Sequence, residues 1–204
     1  MSYIFCLMGK SSSGKDTVYR RLLEEHQLGL QRLVTGTTRP IREGECDGKE
    51  YYFYTNEAYE QLRADGKIIE CRAYDTIHGI WNYFTVAREE LDVDAQDYLT
   101  INTLEAYLQL REYFGSEHLI PIYLEVDDGL RLQRALDREK MQAEPKYKEM
   151  CRRFLADEED FSSDKLCDAQ IQPIFKNEEL EQTVAQICEY IQKIQAGDKW
   201  IISK

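Results

Sequence analysis

Gly9-Lys10-Ser11-Ser12-Ser13-Gly14-Lys15-Asp16-Thr17 decides the fold, together with the apolar run Tyr3 to Met8 before it and Val18, Leu22 and Leu23 at helical spacing after it. An apolar strand, a glycine-bounded loop and a helix opening on a lysine make a phosphate cradle. Backbone N–H groups and the positive end of the helix face the anion, and Lys15 reaches its terminal phosphates. A Gly/Ser-rich turn with an exposed lysine is the bland alternative, but such a turn has no need of a strand before it and a helix after it. The motif departs from its usual form at one position, because Asp16 stands where Ser or Thr normally supplies a hydroxyl to Mg²⁺. A carboxylate is a more charged magnesium ligand that repels phosphate when no metal is present, and Thr17 offers the hydroxyl alternative.

Length and composition fit one α/β domain over residues 1–204. The formal net charge of −12 argues against a broad nucleic-acid surface, so basic residues serving an anionic substrate have to be concentrated where it binds. No apolar run approaches membrane-spanning length, and the first one reads as a strand rather than a leader. Six scattered cysteines without a CxxC pair read as reduced thiols of a cytoplasmic protein, not as a zinc site or disulfide framework.

The expected concentration of basic residues comes next. Thr35-Gly36-Thr37-Thr38-Arg39-Pro40-Ile41-Arg42 is a hydroxyl-rich turn with two arginines three apart, and Tyr51-Tyr52-Phe53 follows as an aromatic strand. Guanidinium groups pair bidentately with phosphate, and Thr and Tyr hydroxyls complete such a shell. In isolation this is equally a solvated charged loop; after a phosphate loop it reads as a second anion site.

Together, the phosphate loop and the pattern Thr-Thr-Arg-Pro-x-Arg-x-Gly-Glu-x-x-Gly-x-x-Tyr-x-Phe at residues 37–53 resemble the guanylate kinase family, and a weaker similarity continues toward the C-terminus. The resemblance implies a P-loop NTPase-type three-layer α/β fold with a parallel core sheet, a monophosphate-binding insertion and a helical lid. The core would take about 1–34, 92–137 and 150–196, the insertion 35–91 and the lid 138–149. It implies Mg²⁺-dependent transfer of the ATP γ-phosphoryl to GMP, with Gly9 and residues 11–17 on ATP and Asp16 or Thr17 on the metal. By position, Thr35, Arg39, Arg42 and Tyr51 correspond to contacts with the acceptor phosphate. Glu70 falls where the family has a glutamate accepting from guanine N1 and N2, chemistry that selects guanine over adenine.

Where the family usually has Tyr-Tyr-Gly-Ser/Thr, this chain has Asn82-Tyr83-Phe84-Thr85, which makes Tyr83 the candidate phosphate contact and Thr85 the candidate base contact. His78 reads as a loop residue, since an anionic phosphoryl acceptor needs no base at neutral pH. Thr100 and Asn102 occupy positions where the family often carries Asp, and Asp16 could replace some of that charge beside the metal.

The remaining pattern alternates strands near 98–101 and 119–124 with helices near 103–114 and 127–138, the latter capped by Asp127 or Asp128. Residues 140–148 lack apolar periodicity and read as a mobile lid. Similar kinases use lid arginines to neutralise the transferring phosphoryl, matched here by Arg138 and Arg153, with Lys15 completing the catalytic set and Arg134 on the same helix face as Arg138. A strand at 170–175 and an amphipathic helix at 178–195 close the chain, and a tail bearing Trp200 could dock on the domain or join two copies. Monomer and homodimer both stay open. A same-fold kinase of another phosphorylated acceptor, such as ribose 1,5-bisphosphate, is the nearer rival, because Gly-Lys-Asp and Asn102 resemble that group. A non-catalytic binding module is the further rival.

Overall fold

The computed structural model describes residues 2–76, 79–88, 91–93 and 95–197; His78 and the Trp200 tail lie outside them. The first strand, β1 (Ile4–Met8), is buried at all five positions. That suits an apolar run with a neighbour on each side and a helical layer on each face. Its alternate residues divide between two cores: Phe5 and Leu7 face one, and Ile4, Cys6 and Met8 the other.

Five strands form a parallel sheet in the order β2 (Gln31–Arg32), β7 (Tyr98–Ile101), β1, β8 (Leu119–Glu125), β9 (Ile174–Lys176). One face is covered by α1 (Lys15–Glu24) and α7 (Leu180–Gln195), through Val18, Leu22, Val184, Ile187 and Ile191. Leu104, Tyr107 and Leu110 of α3 (Leu104–Phe114) cover the other face. The result is the expected three-layer α/β fold, with β1 at the centre and the phosphate loop leaving its C-terminal end, where open α/β sheets bind ligands.

A second sheet is built wholly within residues 36–86, in the order β4 (Tyr52–Phe53), β3 (Gly36–Thr37), β6 (Gly79–Val86), β5 (Ile68–Thr76). Its inner face packs Phe84 and Val86 against Tyr59 of α2 (Asn56–Ala64). The strand β5 runs on past Glu70 to Thr76 and pairs antiparallel with β6, from Glu70 opposite Thr85 to Thr76 opposite Gly79. The strand β2 stops at Arg32, and the chain crosses to the second sheet by Gly36.

After β8 come α4 (Asp128–Lys140), α5 (Tyr147–Asp160) and α6 (Ser163–Asp168). Asp127 is the N-cap of α4, its carboxylate accepting from Leu130 N–H at 3.0 Å. The turn over 141–146 is fixed by Glu139, whose carboxylate accepts from Lys146 N–H at 2.9 Å and from Gln142 at 3.2 Å. Among the described residues no helix is long and apolar enough to cross a membrane.

Candidate active site

The loop from Gly9 to Gly14 is shaped by close approaches that only glycine permits. A Cβ on Gly9 would lie 2.8 Å from the Leu124 carbonyl oxygen and 2.9 Å from Ser13 Oγ. Gly14 precedes α1 in the left-handed region, φ 86°, and a Cβ there would lie 2.7 Å from the Asn177 side chain. Asn177 follows β9, is 5% exposed and donates through Nδ2 to the Ser13 carbonyl at 2.7 Å. This buttress carries no local sequence signal, because it lies 164 residues from its partner.

The first N–H groups of α1, those of Lys15 and Asp16 among them, have no partner within the helix and open toward the loop. Ser12 Oγ and Ser13 Oγ are buried without a partner among the described residues. Buried hydroxyls facing a nest of N–H groups form a cradle that an anion satisfies. Lys15 belongs to the same electrostatic cluster. Burial pushes its ammonium pKa down, Asp16 and Asp157 oppose that shift, and Arg153 and Arg138 add to it. Arg138 and Arg153 are exposed, yet both border a cavity of about 30 Å³ against Ser11 and Ser12, and Arg153 approaches Ser11 Oγ at 3.4 Å.

Asp16 and Thr17 offer one carboxylate and one hydroxyl on the first turn of α1. Among the described residues no group of three or more His, Cys, Asp or Glu is gathered for a metal. A carboxylate and a hydroxyl are hard oxygen donors of the kind Mg²⁺ takes from protein, its other ligands being waters and substrate phosphates.

The second cluster lies on the smaller sheet. Alternation along β5 and β6 puts Glu70, Arg72 and Tyr74 on one face, opposite Thr85, Tyr83 and Trp81. Glu70 is 1% exposed; its Oε1 accepts from Thr85 Oγ1 at 2.8 Å and its Oε2 from Arg72 Nε at 3.1 Å. Tyr83 stands edge-on to Tyr51, ring centroids 5.6 Å apart, and Tyr51 lies beside the Arg39 guanidinium at 5.6 Å. Arg39 is 3% exposed and held by Glu45 at 2.8 and 3.0 Å. Burial works against its charge, but the hydrogen bonds it donates to Glu45 and Tyr83 raise its pKa above the ordinary range. Thr35 is buried, its carbonyl accepting from Tyr52 N–H at 2.9 Å. Arg42 is exposed and touches the cluster through its backbone, whose N–H donates to Glu45 at 2.8 Å.

Thus Arg39, Tyr51, Tyr83, Glu70 and Thr85 are gathered, whereas Arg42 stands at the rim. Phe84, which replaces the expected glycine, turns to the inner face and fills the space left by Gly36, where a Cβ would lie 2.7 Å from its ring. Phe84 and Gly36 are register partners across the β3–β6 pair. Asn102, after β7, is 3% exposed, and neither side-chain polar atom has a partner among the described residues. Sequence reasoning missed Asn177, Arg72 and Arg131 altogether, and read Asp157 only as a partner for surface arginines.

A family model described as guanylate kinase matches residues 2–194. A guanylate kinase from Oceanobacillus iheyensis is 37% identical over 114 residues, covering 54% of this chain and 52% of the relative. One from Anaplasma phagocytophilum is 32% identical over 137 residues, covering 65% of this chain and 62% of the relative. The crystal structure of guanylate kinase from Anaplasma phagocytophilum resembles this fold with a TM-score of 0.64 at 25% identity, over 95% of this chain and 86% of that one. The matches to the curated relatives span only about half to three fifths of those relatives' length.

Proposed function

The chain belongs to the guanylate kinase family, and on that premise we propose that it transfers the γ-phosphoryl of ATP to GMP, giving ADP and GDP. The observation that carries the reading is the shared face of the β5–β6 hairpin. It presents a buried carboxylate, Glu70 with Thr85, in line with a tyrosine and arginine cluster, Tyr83, Tyr51 and Arg39. A ligand with a donor-bearing base at one end and a phosphate at the other matches that order of groups.

In this reading residues 35–91 are the acceptor-binding insertion and 138–149 the lid. The loop amides and Lys15 hold the ATP phosphates, and Arg39, with Arg42 brought in from the rim, holds the acceptor phosphate. Arg138 and Arg153 neutralise charge on the transferring group and exclude water, which limits hydrolysis. The acceptor is already anionic, so no side chain needs to remove a proton. Asp16 or Thr17 would hold Mg²⁺, which would supply further neutralisation of phosphate charge. A cytoplasmic setting, with the six cysteines free, accords with this role.

One observation favours a second reading, a same-fold kinase of another phosphorylated acceptor such as ribose 1,5-bisphosphate: Glu70 is already ion-paired by Arg72. ADP release from Mg-ATP with GMP, dGMP, AMP, CMP, UMP and ribose 1,5-bisphosphate as separate acceptors separates the two. Turnover confined to GMP and dGMP is expected. Turnover with ribose 1,5-bisphosphate alone would leave the two phosphate sites standing and discard the base site.

A further inference from the structure

We infer that Arg131 and Asp157 are positioning residues for nucleotide binding, which together fix the first two peptide groups of the phosphate loop. The inference rests on the reading of that loop as the ATP site. In the peptide joining residues 10 and 11, the Ser11 N–H donates to Asp157 Oδ2 at 2.8 Å, and the Lys10 carbonyl accepts from Ser13 N–H at 3.2 Å. In the next peptide, the Ser11 carbonyl accepts from an Arg131 terminal nitrogen at 3.1 Å. The two ends of a trans peptide point in opposite directions. Holding the Ser11 carbonyl toward α4 therefore turns the Ser12 N–H away from α4. Ser12 itself is left-handed, φ 63°, the conformation that gathers successive N–H groups into an anion nest. Its side-chain oxygen is one of the buried hydroxyls without a partner.

Arg131 is suited to hold this geometry and not to touch phosphate. It is 1% exposed, stacked 4.6 Å over the Phe154 ring, and its donors are taken by protein acceptors. Besides Ser11 these are Asp128, at 2.7 and 3.1 Å, and Glu158 at 2.6 Å. Glu158 also accepts from Lys10 Nζ at 2.6 Å, so its carboxylate ties α5 to the loop through one oxygen and to Arg131 of α4 through the other. Arg138 and Arg153, by contrast, keep exposed guanidiniums at the cavity beside Ser11.

A purely structural ion pair would lower stability when broken and leave ligand affinities of the folded protein alone. The positioning role predicts otherwise. Calorimetric titration of the full chain with Mg-ADP, and separately with GMP, is to be compared for wild type, Arg131→Met, Arg131→Lys, Asp157→Leu and Asp157→Asn. Arg131→Met and Asp157→Leu are expected to weaken ADP binding by about tenfold or more, since a misdirected loop amide loses a charge-assisted hydrogen bond to phosphate. GMP affinity stays within about twofold on the same argument. Arg131→Lys recovers part of the ADP affinity, and Asp157→Asn, whose amide oxygen still accepts from Ser11 N–H, recovers most of it. If Arg131→Met fails to fold, the Asp157 pair carries the comparison. Folded variants that bind ADP as wild type does, or that lose ADP and GMP affinity equally, overturn the inference. A wild-type chain that binds GMP but no ADP overturns the loop reading itself, and the inference with it.

Discussion

Replacing Lys15 with methionine is expected to lower phosphoryl transfer by about a thousandfold while leaving the thermal midpoint unchanged or raised. Lys15 opens α1 beside the loop, and burial holds its pKa below the ordinary lysine value, with Arg153 and Arg138 adding to the depression. Those three cations share the electrostatics of one site, and in the proposed reaction each would neutralise part of the charge that develops on the transferring phosphoryl. In a desolvated site, one missing fixed charge costs about 10² to 10³ in rate, and phosphoryl transfer lies at the upper end. The stability sign runs the other way. A lysine whose folded pKa lies below its unfolded value destabilises the fold while it is charged, and the penalty fades as pH rises through the folded pKa. Methionine keeps the stem and removes that penalty. Turnover by a coupled ADP assay, alongside thermal melts at neutral pH, reads both effects. A rate loss under about tenfold would remove Lys15 from the catalytic set.

Glu70→Gln is the second large effect, expected to cut kcat/KM for GMP by about 10² to 10³ with KM for ATP held within about threefold. The Glu70 carboxylate is buried and accepts from Thr85 and twice from Arg72, at 3.1 and 3.4 Å. A glutamine amide replaces one acceptor oxygen with an NH₂ that faces the Arg72 donors and the N1 and N2 donors of guanine. Recognition and stability both suffer, because Arg72 loses its buried counter-charge; a fall in midpoint of several degrees accompanies the kinetic change. Kinetics with GMP and with ATP as the varied substrate check the split. Unchanged GMP kinetics would show that Glu70 does not read the base.

How much of this was legible in the sequence follows from how local each signal is. β1, the loop and α1 could be read directly, because strand, glycine and lysine lie within about twenty residues and each constrains the next. The β5–β6 hairpin was only half legible. Past Cys71 the strand continues through Arg72, Ala73, Tyr74, Asp75 and Thr76 with none of them fully buried, so no apolar run marks it. In α4 the apolar pattern misleads. Leu130 and Leu132 are about 40% exposed, while Arg131, Ala135 and Glu139 at spacing of four are buried. Arg131 finds its acceptors on Ser11 and on α5, and pairing of that kind leaves no trace in helical periodicity. Asn177 and Asp157 reach the loop from residues far along the chain, through contacts that only the closed fold creates. Arg39 and Tyr51 were legible because they lie in one contiguous motif from Thr37 to Phe53, whereas the ion pair of Arg72 on Glu70 was not.

The central claim is a phosphoryl transfer between two nucleotides, and following the phosphorus tests it most directly. A single turnover with enzyme in excess over ATP labelled in its γ-phosphate, in the presence of Mg²⁺ and GMP, is quenched and its products separated. The label is expected in GDP, with little inorganic phosphate, because in the proposed reaction the arginines over the transferring group would exclude water as a rival nucleophile. Label recovered only as inorganic phosphate, or not released from ATP at all, would contradict the account.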